Sequence, residues 1–114
     1  LYAAKIYHDR EMYEDALRTL EFIINNSNSK EIHMIANARY ARIFILQKKY
    51  NFAETYITSI LDYKNNILFI ELLGDISYLK SDITKASEYY KACLKFETTP
   101  NNRKIIENKL NSIQ

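Results

Sequence analysis

The sequence predicts an all-α fold: about three stacked helical hairpins, closed by a C-terminal helix that caps the last of them. Three observations predict it. The 114 residues contain one Gly and one Pro, whereas a β-rich or dinucleotide-binding fold of that size needs several glycines for its turns and phosphate loops. A short pattern, a helix-ending turn followed by a small residue, occurs at Glu11–Ala16, Lys48–Ala53 and Ser81–Ala86, with its alanines 37 and 33 residues apart. Apolar residues recur at helical period through most of the chain. A chain this long buries roughly two-thirds of its unfolded surface, so one domain spanning 1–114 needs no disulfide or metal staple.

Seven helices follow from the pattern, at about 1–9, 13–26, 30–47, 51–63, 67–80, 83–96 and 101–112. The first six pair into hairpins at about 1–26, 30–63 and 67–96. Asn25-Asn26-Ser27-Asn28-Ser29 is a breaker cluster, and Asn28 with Glu31 three residues on reads as a capping box for the next helix. Lys64-Asn65-Asn66 marks the second loop between hairpins. Thr99-Pro100 places an N-cap before a proline at the first helical position, where its missing N–H costs nothing. The last helix carries one apolar stripe, Ile106, Leu110 and Ile113, as a terminal helix with a polar outer face requires.

The repeated positions have a steric logic. Ala16, Ala53 and Ala86 each open the second helix of a hairpin, where close approach to the first helix admits only a small side chain. Ala4, Ala41 and Gly74 occupy the matching small position of each first helix. Tyr13, Tyr50 and Ile83 supply a bulky plug at the turn, while Leu20, Ile57 and Tyr90, then Ile23, Ile60 and Cys93, fill larger positions downstream. A small-residue hairpin recurring about every 34 residues resembles the tetratricopeptide repeat (TPR). The resemblance implies a helical-hairpin superhelix whose first helices line a hollow that receives another polypeptide.

The remaining chemistry is sparse. Sixteen Lys and Arg against 14 Asp and Glu leave a formal charge of +2, too little one-sided basic surplus for a nucleic-acid binder. The ten tyrosines fall mostly on repeat positions, where they pack between helices rather than stack on bases. His8, Asp9 and Glu11 are the one local cluster of metal-ligating types, short of the three or four supported ligands a zinc site takes. No metal or cofactor is expected. The lone Cys93 reads as a buried core thiol. With no phosphate loop, nucleophile elbow or HExxH helix, no catalytic residue and no small-molecule substrate are predicted, and the expected role is not enzymatic. Counting along the first helices, the concave face carries Lys5 and His8, then Ala38, Arg42 and Ile45 with Arg39 at the rim, then Glu71, Asp75 and Tyr78. Arg42 either pairs with Asp75 or Glu71 on the neighbouring helix or faces a partner; the two roles are compatible.

Four stretches carry a narrower resemblance: Leu1-Tyr2-Ala3-Ala4, Asn37-Ala38-Arg39-Tyr40-Ala41-Arg42-Ile43, Glu71-Leu72-Leu73-Gly74-Asp75, and the tail from Thr99-Pro100 to Asn108-Lys109-Leu110-Asn111-Ser112-Ile113. Together they resemble the soluble TPR domain of the ancillary SecYEG translocon subunit (YfgM-like) family, with Leu73 where that family often carries Arg. The resemblance implies a non-catalytic interaction domain on the periplasmic side of a bacterial inner membrane, held by a single-pass N-terminal anchor upstream of Leu1. The partners it implies are the SecYEG translocon, a PpiD-type membrane-anchored chaperone and secreted clients. A soluble TPR scaffold or adaptor with an unrelated protein partner is the alternative.

Overall fold

Side chains that cap helix N-termini divide the chain. Ser29, Asn66, Asp82 and Thr99 each accept a hydrogen bond from a backbone N–H two or three residues on, satisfying a donor the first helical turn leaves open. A computed structural model describes the backbone of residues 2–114 and the side chains of residues 10–114. Its helices are α1 (Tyr2–Asn26), α2 (Lys30–Leu46), α3 (Tyr50–Thr58), α4 (Ile67–Leu79), α5 (Ile83–Cys93) and α6 (Pro100–Ile113), with a 3-10 turn at Tyr63–Asn65 before α4. No strand occurs among the described residues. Each helix packs on the next in the chain, and α2 also packs on α4. That second-neighbour contact sets the first helices of successive hairpins side by side.

The hairpin turns α2–α3 and α4–α5 are built alike. Lys48 and Ser81 adopt left-handed backbone angles, φ 62° and 65°. The next N–H reaches back five residues, Lys49 to the Phe44 carbonyl and Asp82 to the Ser77 carbonyl, both at 2.8 Å. This is the Schellman ending, which closes a helix most readily with glycine at the left-handed site; here two L-residues hold it. Beyond each turn Ala53 and Ala86 are fully buried, as is Ala41 on α2. Gly74 on α4 makes a crossing too tight for any side chain. A Cβ there would stand 2.6 Å from Cε1 of the buried Tyr90 ring on α5, closer than two carbons can approach. Around these crossings Phe69, Ile57, Leu73, Ile76, Ile106 and Cys93 form the fully buried core.

The first hairpin differs from its prediction. Residues 1–26 do not fold back between 9 and 13: α1 runs unbroken from Tyr2 to Asn26. Glu11, the repeat equivalent of Lys48 and Ser81, is helical. Arg10, Glu11 and Met12 are strong helix formers, so the local sequence does not end the helix there. Consistent with this, Ala16 is only partly buried. Other boundaries shift for local reasons. Ser29, not Asn28, caps α2, accepting from the Ile32 N–H at 3.3 Å. Helix α3 stops at Thr58, not 63, where the Thr58 and Ser59 hydroxyls donate to the carbonyls of Glu54, Thr55 and Tyr56 and Asp62 turns left-handed. Helix α5 stops at Cys93, not 96, because Arg103 of α6 donates to the Leu94 and Phe96 carbonyls and holds them outside the helix. The plug at Ile83 is 40% exposed, so it caps its turn from the outside.

Substitutions at the crossings test this packing. Ala53→Phe or Ala86→Phe overpacks a crossing and lowers stability by roughly 1–3 kcal/mol in denaturant titration. Gly74→Ala, which on helix propensity alone stabilises by up to about 1 kcal/mol, destabilises here by displacing Tyr90; in a Tyr90→Leu background the same change turns neutral or favourable.

Candidate functional site

Helices α2 and α4 present parallel rows of side chains at helical spacing, and the rows border two adjoining clefts of about 530 and 290 Å³. The larger has an apolar lining of Ile35, Ala38, Leu68 and Leu72 beneath Arg39 and Glu71. The smaller continues toward the helix C-termini past Ile45, Leu46, Tyr78 and Leu79 and is bounded by Lys109 of α6. Arg42, Leu72 and Asp75 border both, so the clefts form one trough. Seven residues predicted for the concave face, Ala38, Arg39, Arg42, Ile45, Glu71, Asp75 and Tyr78, are brought together here. Lys5 and His8 lie outside the residues whose side chains are described.

The electrostatics differ from expectation at one point. The cation on Glu71 and Asp75 is not Arg42 but Lys109. Its Nζ donates to Glu71 Oε2 at 2.7 Å and to Asp75 Oδ1 and Oδ2 at 3.0 and 3.1 Å. Asp75 Oδ1 also accepts the Tyr90 hydroxyl at 2.5 Å. These four side chains tie α4, α5 and α6 together and consume the acidic wall of the trough. Arg39 and Arg42 are exposed and make no ion pair among the described residues. Lys109 escaped sequence reasoning because it sits beside Leu110, on the edge of the apolar stripe. The available signal was its place three residues after Ile106, near enough to the buried face to reach over it.

Titration reflects this packing. Burial alone draws the Lys109 ammonium down, but its Glu71 hydrogen bond and the two carboxylate charges outweigh burial and leave its pKa raised. Burial, reinforced by the Asp75 hydrogen bond, pushes the Tyr90 phenol far up. Burial pushes the Cys93 thiol up to about 12, with the Glu71 and Asp75 charges adding to it. A fully buried thiol held protonated is a core side chain, not a nucleophile. On the α1 side, burial and a 2.8 Å hydrogen bond to Glu21 push Tyr40 up to about 12. His33 is half-buried, its Nδ1 3.3 Å from the Asn37 amide nitrogen. Among the described residues, no three metal-ligating side chains come together, and no helix is long and apolar enough to cross a membrane.

The model of the tetratricopeptide repeat-like domain family matches residues 1–114. The chain belongs to that family. No curated protein and no solved structure matches it. Membership agrees with the all-helical architecture and its small-residue crossings. Tetratricopeptide repeat-like domains are in general non-catalytic modules that bind other proteins, and in this one the trough between α2 and α4 lies where the first helices of successive repeats meet.

The titration has a signed consequence for the repeat-like domain. Lys109, Tyr90, Cys93 and Tyr40 all hold their protons more tightly folded than unfolded. The stability they confer is therefore whole below the unfolded pKa values and declines as pH rises through the folded ones. For Cys93 that window runs from 9.0 to about 12. Urea titrations at increasing pH should show stability falling from about pH 9 upward, and Cys93→Ala should delay the onset to near pH 10, where the tyrosines and Lys109 begin to titrate. Lys109→Met leaves two half-buried carboxylates without their cation and should cost about 1–3 kcal/mol at neutral pH.

Proposed function

We propose that this domain is the partner-docking domain of an accessory subunit of the Sec protein translocon, and that it binds through the trough between α2 and α4. On this reading the domain faces the periplasm from an inner-membrane anchor. It bridges the SecYEG channel to a PpiD-type membrane-anchored chaperone and so assists secreted clients. The observation that carries docking at the trough is its composition. Ile35, Leu46, Leu68, Tyr78 and Leu79 stay between 38% and 54% exposed beside two arginines that no described carboxylate neutralises. Large apolar side chains clustered in a concave surface mark an interaction site more often than a solvated one. The translocon assignment is supported by the four sequence stretches that resemble the ancillary subunit, two of which, Asn37–Ile43 and Glu71–Asp75, supply both walls of the trough.

The test is co-purification from detergent-solubilised membranes with the tagged full-length protein. SecYEG and the PpiD-type chaperone are expected in the eluate, and Arg42→Glu should deplete the chaperone while circular dichroism shows an intact helical fold. Undiminished chaperone recovery with the folded variant moves docking away from the trough. Recovery of neither partner with the unaltered protein rejects the translocon assignment.

A further inference from the structure

The trough restricts what kind of segment can enter it. From Ile35 to Leu46 on one wall and from Leu68 to Leu79 on the other is eleven residues of straight helix, about 16 Å at 1.5 Å per residue. Both walls are helices, whose backbone donors and acceptors are spent internally. An extended peptide laid in the trough therefore finds no strand edge to pair with. Among the described residues, no asparagine or glutamine side chain lines either cleft to substitute for that pairing. An extended backbone pressed onto Ala38 and Leu72 would lose hydration there, and its N–H groups would face arginines, which donate but cannot accept. A helix brings its backbone already satisfied.

Charge selects further. On the α4 wall, Lys109 already answers Glu71 and Asp75. On the α2 wall, Arg39 and Arg42 stand one turn apart with no ion pair among the described residues. The wall left to satisfy is cationic, and it lies directly beside apolar floor. We infer that the trough receives a helix of about three turns from the partner protein, with apolar residues at i, i+3 or i+4, and i+7 on the floor and an aspartate or glutamate facing Arg39 and Arg42. This rests on the trough being the docking face. It adds the conformation and the charge of what docks.

The probe is a lactam-bridged 14-residue helix carrying Leu at positions 3, 7 and 10 and Glu at position 6, titrated against the full chain by fluorescence anisotropy. Two matched peptides accompany it, one with Lys in place of that Glu and one with Pro at position 8 in place of the bridge. The bridged Glu helix should bind at least about fivefold more tightly than either, with affinity falling as salt screens the pair. Arg39→Glu/Arg42→Glu should weaken the Glu helix by about tenfold or more and bind the Lys helix better than the unaltered protein does. That exchange of preference needs a folded trough, so misfolding cannot imitate it. Equal or tighter binding of the proline peptide overturns the helical conformation, and indifference to the charge exchange overturns the acidic contact. A photo-reactive residue at Leu68 of the full-length protein separates these failures from failure of the site. Partner cross-links from Leu68 with no preference for the Glu helix leave docking at the trough standing and remove only this inference. No cross-link from Leu68, with cross-links from exposed Lys91 on α5, removes both.

Discussion

The structure depends on the flat contact between Gly74 and the ring of Tyr90. Because α4 carries no side chain at that point, the ring lies against its backbone and its hydroxyl reaches Asp75 one residue along. Asp75 and Glu71 then have the position and charge to take Lys109 from α6. One missing methyl group thus sets the spacing of α4 and α5 and builds the carboxylate pair that docks the terminal helix. The same cluster shapes the trough's electrostatics, since Glu71 and Asp75 are both engaged by Lys109 while the two arginines opposite make no ion pair among the described residues.

The repeated crossings divide the labour unevenly. At Ala41 and Ala53 between α2 and α3, and at Gly74 and Ala86 between α4 and α5, small residues permit close packing and the hairpins close with left-handed residues at Lys48 and Ser81. Left-handed angles are unfavourable for such residues by about 1–2 kcal/mol, so the packing beyond the turn must outweigh them. Inside the array it does. At residues 10–12 a run of strong helix formers stands in place of that turn, and α1 continues through it. Helix α6 packs on α5 and pairs with α4 through Lys109, while α1 packs on α2 as a single long helix.

Function follows from what the stacking leaves over. Packing α2 directly on α4 buries Ala38, Ile45 and Leu72 but cannot bury the larger side chains on either rim of the seam. Those rims, together with Arg39 and Arg42, form a surface suited to another polypeptide. The groups that elsewhere perform chemistry are spent in this fold: the thiol of Cys93 is sealed in the core, and the Tyr90 hydroxyl and Lys109 ammonium are held by carboxylates.

Most of the helical architecture was legible in the sequence because it rests on short-range rules. Scarcity of glycine and proline, apolar residues at helical period, the Thr99-Pro100 start and the alanines at hairpin crossings each act within a few residues of where they are written. Seven of the nine residues placed on the concave face line the trough, because counting along a helix identifies a periodic face. Tertiary structure decided the rest, since it turns on competition between distant groups. Where α5 ends depends on an arginine nine residues beyond Leu94. Which cation meets Glu71 and Asp75 depends on α6, which brings Lys109 across 34 residues of chain to a place that Arg42, on the adjoining helix, does not take.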